Sequence, residues 1–279
     1  MKRDALGTAM KAFEAAACPA DLSADVPIYA RIDGRGFSRF TRGMARPFDP
    51  AMTALMRTTA QDLLEETGAV YAFTQSDEIS LVWAPGDAAT EALFGGRVIK
   101  TVSVLAGMAT AFFTRALLRP GSGLESYADR CPHFDARVCQ MPDEKSTADM
   151  IAWRGMDAER NAVQMAAQAH FSHKHLQGVR IRDQKALLSG VGITIEDYPG
   201  AFRNGTQMSR VRVHRTLTRD ERERIPARHR PAPDTPVLRS ETRLFDVVPP
   251  HRTDALAQRI FHKDATGAPV ARPGLRRAA

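Results

Sequence analysis

The sequence predicts an α+β fold, and three observations carry that reading. Four β-rich runs, 26–32, 70–75, 79–83 and 134–140, are separated by two stretches of helical apolar spacing, giving the order β-α-β-β-α-β. The two middle runs are joined by Ser76-Asp77-Glu78 alone, which reads as a hairpin. A longer periodic stretch follows at 143–176, and the chain ends in a basic extension. The order is that of the ferredoxin-like split motif, with helices added.

Each element has a local cause. Leu6, Met10, Phe13 and Ala17 fall at helical spacing, so residues 4–17 read as an amphipathic helix. The run 26–32 is a strand that delivers Asp33, and the glycines of Gly34-Arg35-Gly36 let backbone approach a ligand closely. Residues 41–47 form an irregular loop containing Arg42 and Arg46. Asp49-Pro50 supplies a helix cap and a first-turn proline, Met52, Leu55, Met56, Leu63 and Leu64 mark the inward face, and Gly68 stops the helix. Pro85-Gly86 closes the hairpin. Residues 91–118 read as one long helix despite their β-branched side chains, ended by Pro120-Gly121, with a loop to 130. The stretch 143–176 reads as helix throughout. His170, His173 and His175 crowd its end, but that spacing does not put three imidazoles on one face, so a basic helix end is expected rather than a metal site. Residues 207–214 form a closing strand.

Beyond Arg215 the organisation changes. Residues 219–230 alternate in charge like a short exposed helix, Pro226, Pro231, Pro233 and Pro236 mark an extended linker, and 268–279 read as disordered. The chain therefore divides into residues 1–215, which hold the periodic strands and helices, and a basic Pro/Arg-rich region, 216–279. The division is also one of charge: residues 200–279 hold 17 Lys and Arg against 8 Asp and Glu, whereas the whole chain of 279 residues nets only +7. Basic surface of this kind neutralises phosphate and suits an RNA partner.

No apolar run approaches the roughly 20 residues that span a bilayer, and the Met1-Lys2-Arg3-Asp4 start leads into no signal-type core, so a cytoplasmic protein without a membrane partner is expected. Cys18, Cys131 and Cys139 are odd in number and lack a C-x-x-C, which argues against a disulfide framework; Cys131, His133 and Cys139 lack a fourth zinc ligand.

The chemistry concentrates in two stretches. Asp33 ends an apolar strand, and Asp77 and Glu78 sit at a hairpin turn, an arrangement of carboxylates on neighbouring strands that holds hard divalent cations. Mg²⁺ is bound through one or two carboxylates plus substrate phosphates, and paired metals serve phosphoryl transfer. No P-loop is present, and Gly34-Arg35-Gly36 lacks the third glycine of a dinucleotide fingerprint.

On the residues Asp33-Gly34-Arg35-Gly36-Phe37-Ser38-Arg39-Phe40 and Gln75-Ser76-Asp77-Glu78-Ile79-Ser80, the chain resembles the tRNA-histidine guanylyltransferase family, including relatives that act as 3′-to-5′ RNA polymerases. Arg203-Asn204-Gly205-Thr206 matches the family's turn before a closing strand, and the resemblance spans roughly residues 1–215. It implies a polymerase/cyclase-like palm and a nucleotidyltransferase that adds nucleotides, chiefly GMP from GTP, to tRNA 5′ ends. It further implies that Asp33, the Gly34 carbonyl and Asp77 hold two Mg²⁺ ions, with Asp33 and Asp77 catalytic. The nucleotide contacts it implies are Arg31, Asp33, Gly34, Arg35, Gly36, Phe37, Ser38, Arg46, Ser76, Asp77, Lys100 and Lys185. GTP, ATP and tRNA are the implied partners, and a homotetramer the implied assembly.

The sequence departs from the family in two places. Glu159-Arg160-Asn161-Ala162-Val163-Gln164-Met165 replaces the His-Ile-Asn-Asn-Leu-Tyr-Asn signature of the eukaryotic enzyme, which points to templated 5′-end repair rather than dedicated histidine-tRNA modification. Ser38 stands where many relatives carry His, and a hydroxyl supplies neither the acid-base nor the cationic function of imidazole near neutral pH. Two rival classes remain. A nucleotide cyclase on the same palm leaves the basic last third unexplained, and a non-catalytic RNA-binding protein has no chemical use for three intact carboxylates.

Overall fold

The computed structural model describes residues 21–86, 93–245 and 253–261. The helix expected at 4–17 and Cys18 lie outside them. The elements in order are β1 (Ile28–Gly34), a single turn α1 (Phe37–Phe40), α2 (Pro50–Thr67), β2 (Tyr71–Gln75), β3 (Glu78–Trp83), α3 (Val98–Leu117) and β4 (Phe134–Gln140). Then come α4 (Glu144–His170), the short α5 (His173–Leu176), α6 (Ile181–Gly190), α7 (Gly200–Asn204), β5 (Thr206–Arg215), α8 (Arg219–Glu223), β6 (Val237–Phe245) and α9 (Thr253–Phe261).

Among the described residues six strands form one sheet in the order β4-β1-β3-β2-β5-β6, every pairing antiparallel. The first four positions are those of the split βαββαβ motif, in which β3 inserts between β1 and β2. Period-two alternation sorts the faces. Ile28, Ala30, Ile32, Ile79, Leu81 and Trp83 face α2 and α3 in the larger core. Tyr29, Tyr71, Phe73 and Val82 face the other way, under α4 and α9, with Ile151, Leu256 and Ile260. The sheet is thus covered on both sides, and Arg31 and Asp33 share the α4 face with Tyr29.

The capping logic of α2 holds: the Asp49 carboxylate accepts from the Ala51 and Met52 amides at 2.9 and 3.3 Å, and Gly68 ends the helix. Other elements differ from the sequence reading. The long second helix begins only at Val98, after a 3-10 turn over Leu93–Gly96, because Gly95 and Gly96 both adopt positive φ. This α3 is long and apolar enough, by length and composition, to cross a bilayer, which counting strictly apolar runs overlooked. Its Leu105, Ala109, Phe113 and Leu117 are buried in the palm core, so that stripe is accounted for by packing. The 143–176 helix is two helices, broken where Phe171 turns to extended backbone and Ser172 caps α5.

The largest difference lies beyond Arg215. The expected extended linker ends at Pro236, and β6 then pairs along the whole of β5, from Gln207↔Phe245 to Arg215↔Val237. An edge strand wetted on both sides carries little alternation, which is why Val237–Phe245 gave no strand signal. The compositional boundary at 215/216 therefore falls inside a continuous sheet.

Candidate functional site

Three local features assemble the site at the end of β1. The Cβ of any residue at Gly34 would lie 2.4 Å from the Phe37 ring, so glycine is required there for packing. Gly36, at φ 67°, caps the α1 turn in the left-handed region, which glycine enters without steric cost. Phe37 then folds inward, its ring centroid 5.1, 5.6 and 5.0 Å from those of Phe40, Phe113 and Phe134. Its side chain is a core anchor, and only the backbone around it is available to a ligand.

Opposite, the β2–β3 turn is held at Ser76, a non-glycine residue at φ 53°. Such a conformation costs an L-residue about 1 kcal/mol, and strain of this kind persists where surrounding structure enforces it. The enforcing interactions are the Gln75↔Glu78 pair and the Gly34 amide, which donates to the Asp77 carbonyl at 2.9 Å. That hydrogen bond ties the two motifs together.

Asp33 lies between two basic neighbours. Arg31 Nε donates to its Oδ2 at 3.0 Å and Arg137 approaches the same oxygen at 3.3 Å. Burial pushes the Asp77 carboxyl above the usual carboxylate range; its own amide and the Ser76 hydroxyl pull it back, and the charge of Asp33 pushes it further up. A buried carboxylate whose ionisation is made costlier by a neighbouring negative charge marks a place where a cation is stabilising. Among the described residues no three His, Cys, Asp or Glu side chains converge as a ready cage. Two carboxylates and a backbone carbonyl are instead the oxygen donors Mg²⁺ uses when substrate phosphates complete its shell, so Asp33, Asp77 and the Gly34 carbonyl fit such an ion.

Beside them opens a cavity of about 660 Å³. Ser38, Arg42, Arg46 and Asp49 line it from the 38–49 segment, Met52 and Arg57 from α2, Ser76 and Asp77 from the hairpin, Gln168 from α4 and Phe202 from α7. Phe48 stacks on Phe202, centroids 4.8 Å apart, with Tyr198 edge-on to both. Cationic and aromatic walls suit phosphate and base respectively.

Of the sequence-derived contacts, Phe37, Ser38, Arg46, Ser76 and Asp77 line this cavity, and Asp33 and Gly34 adjoin it through Asp77. Arg31 is near, but its guanidinium is engaged by Asp33. Arg35 and Gly36 are exposed outside the lining, with the Arg35 amide bonded to the His133 carbonyl. Lys100 is not brought to the cavity: it sits in the first turn of α3, roughly 20 Å along the helix axis from the Phe113 that meets Phe37. Lys185 is exposed on α6, likewise away from the lining.

Sequence reasoning missed Arg57, Arg137, Phe48, Phe202 and Arg154. Arg154 grips Glu78, with Nε to Oε1 at 2.7 Å and Nη2 to Oε2 at 2.5 Å. Glu78 therefore faces α4 in a clamp rather than sharing the hairpin tip with Asp77. No local signal marks these residues, since each meets its partner, or the cavity in the case of Arg57, only across the fold.

Residues 7–142 match a family profile described as tRNAHis guanylyltransferase. Among curated proteins, an uncharacterized protein of Acanthamoeba polyphaga mimivirus is 32% identical over 60% of this chain and 63% of its own length. The tRNA(His) guanylyltransferase of Schizosaccharomyces pombe is 28% identical over 64% of this chain and 71% of its own. Among solved structures, a bacterial tRNA(His) guanylyltransferase-like protein in complex with ATP matches with TM-score 0.66 and 31% identity, covering 74% of this chain and 86% of that one. A corresponding complex with GTP matches with TM-score 0.64 and 25% identity, covering 88% and 93%.

Proposed function

The chain belongs to the tRNA(His) guanylyltransferase family of nucleotidyltransferases, and on that premise we propose that it adds nucleotides, chiefly GMP from GTP, to tRNA 5′ ends in the 3′-to-5′ direction, as templated 5′-end repair. The observation that carries this reading is the tied pair Asp33 and Asp77 beside a cavity walled by arginines and aromatic rings. ATP and GTP complexes among its structural neighbours support a nucleotide in that cavity.

The reaction has two displacements and a hydrolysis. A 5′-phosphate oxygen of the tRNA attacks the α-phosphorus of ATP, forming a P–O bond and releasing pyrophosphate. The 3′-hydroxyl oxygen of the incoming GTP then attacks the tRNA 5′-phosphorus, AMP leaves, and the hydroxyl proton passes to solvent. The new end carries the triphosphate of GTP, and attack of water on its α-phosphorus with loss of pyrophosphate leaves the net gain of GMP. Two Mg²⁺ ions held by Asp33, Asp77 and the Gly34 carbonyl would activate the attacking oxygen and offset charge on the leaving one. Arg42, Arg46 and Arg57 bring positive charge to the triphosphate, and Phe48 and Phe202 offer rings to a base. Ser38, exposed in the lining, can donate a hydrogen bond to phosphate but cannot carry a proton as imidazole does. The exposed arginines of the β5–β6 ribbon and α8 suit the body of the tRNA. The family resemblance extends the proposal to a homotetramer, checked by light scattering of the full chain.

Templated repair is favoured by the departure at Glu159–Met165, since base pairing can supply the sequence information while protein reads shape and backbone. The test is incubation with Mg²⁺, ATP, GTP and tRNA lacking its first nucleotide, with C, U or A placed opposite the vacancy. Incorporation that follows the complementary base supports repair. Addition of G whatever the template restores the histidine-tRNA activity, and a cyclic nucleotide formed without RNA would make the protein a cyclase.

A further inference from the structure

The α4 face of the sheet holds a charge cluster used by neither the cavity nor the metal site assigned above. Glu78 follows Asp77 in sequence and is the cross-strand partner of Asp33, so a third carboxylate lies at the same end of the sheet, turned towards α4. A hard cation takes carboxylate oxygens without regard to which acid supplies them. A third free carboxylate would change both the position and the charge of the ligand set.

Arg154 prevents this. Its fork occupies both Glu78 oxygens, at 2.7 and 2.5 Å, and the same Nη2 lies 3.0 Å from Asp157 one turn further along α4. Asp157 is held in turn by Arg160, and the Trp153 ring lies 4.6 Å from the Arg154 guanidinium carbon. The side chains of Arg154 and Glu78 are only 9% and 14% exposed, so the pair bears a desolvation cost that an exposed pair would not. Later turns of the same helix bring Met165, Gln168 and Ala169 to the cavity wall. One rigid element therefore spans from the clamp to the proposed nucleotide site.

We propose that Arg154 is a positioning residue acting through Glu78: by taking both oxygens of Glu78 it withholds this carboxylate from the cation held by Asp33 and Asp77. The proposal rests on the metal-dependent reading of the site given above. A planar guanidinium is needed, because a lysine ammonium can hold only one of the two oxygens in that direction.

The test uses the full chain as Arg154→Met, Arg154→Lys, Glu78→Gln and the double variant Arg154→Met/Glu78→Gln, with two readouts: Mn²⁺ affinity in the presence of GTP, followed by electron paramagnetic resonance, and nucleotide addition to truncated tRNA. Freeing Glu78 in Arg154→Met adds a carboxylate to the available oxygen donors and should tighten Mn²⁺ binding while slowing addition, with Arg154→Lys intermediate in both. Removing the freed carboxylate in the double variant should return Mn²⁺ affinity towards wild type, and Glu78→Gln alone, which leaves Asp157 as the arginine's one remaining acidic partner, should weaken it. An Arg154 of purely structural importance gives a different pattern, in which Mn²⁺ affinity stays unchanged or falls along with stability, and that result overturns the proposal. If Arg154→Met does not fold, the direction of the Arg154→Lys and Glu78→Gln shifts decides. A wild type that shows these Mn²⁺ shifts but adds no nucleotide overturns the functional reading and leaves the clamp standing; a wild type that adds nucleotides without the shifts overturns the clamp alone.

Discussion

Helix α4 and the β5–β6 ribbon each carry an arginine that grips a glutamate with two nitrogens, yet the two acids end on opposite sides of the usual carboxylate range. On the palm, burial pushes Glu78 above the usual carboxylate range even though Arg154 and its charge pull it down. On the ribbon, hydrogen bonds from Arg215 hold Glu221 far below that range, helped by the Thr218 amide. The Arg215 and Glu221 side chains are 34% and 30% exposed, against 9% and 14% for the palm pair. Water accounts for the difference. The exposed pair keeps its hydration and closes a capping box on α8, whereas the buried pair has surrendered hydration for a fixed direction. A clamp that costs desolvation beside the carboxylate cluster belongs to the geometry of the site; one that keeps its water belongs to local folding.

The contrast can be broken or sharpened at several points, the largest effect first. Asp33→Ala and Asp77→Ala should each reduce nucleotide addition by at least about 100-fold, because even residues that only support a metal ligand cost 10–100-fold, while the unfolding midpoint stays near wild type. Near-normal turnover of either variant at saturating Mg²⁺ would remove those carboxylates from the chemistry.

Next come the two arginines. Arg154→Met leaves a buried glutamate without its partner and should cost about 3 kcal/mol in urea unfolding. Arg215→Met, in a solvated pair, should lose clearly less. Equal losses would erase the distinction between the regions.

The ribbon's own role is tested by charge reversal rather than truncation, because removing 219–279 would strip β6 from the sheet and Leu256 and Ile260 from the core. Arg212→Glu with Arg224→Glu, both exposed, should weaken tRNA binding and flatten its salt dependence by about 0.7–0.9 for each phosphate no longer neutralised, with GTP affinity unchanged. Equal tRNA affinity at one salt concentration would move the RNA to another surface.

The smallest effect is a pH slope. Burial and Asp33 raise the folded-state pKa of Asp77 above its unfolded value, so its contribution to stability is complete below the unfolded pKa and is lost as pH rises through the folded one. Asp77→Asn fixes the uncharged form. Without divalent cations it should match wild type in acid and exceed it near neutrality, in thermal unfolding across pH. Glu221, with its pKa lowered, gives the opposite slope, a contribution present above its unfolded pKa and lost as pH falls. An Asp77→Asn variant less stable than wild type at neutral pH would reverse the assignment of burial as the dominant cause.

Sequence by itself determined what depends on neighbours a few residues apart. The order of strands and helices followed from periodicity, α2 from its Asp49 cap and Gly68 stop, and the tight hairpin from Ser76-Asp77 between two β-rich runs. The carboxylates Asp33 and Asp77 were legible because each sits where a strand must end. Tertiary structure alone decided the rest. Arg154 meets Glu78 across 76 residues, and Arg130 reaches the Phe40 carbonyl across 90. The Phe48–Phe202 stack joins the loop before α2 to α7. It also decided that Phe37 serves the core rather than a ligand, that Lys100 stays away from the cavity, and that Val237–Phe245 is a strand because β5 offers it an edge. Local propensity and capping act within one or two turns of chain, whereas the partner of a buried charge, ring or strand edge is chosen by which surfaces the packed layers bring together.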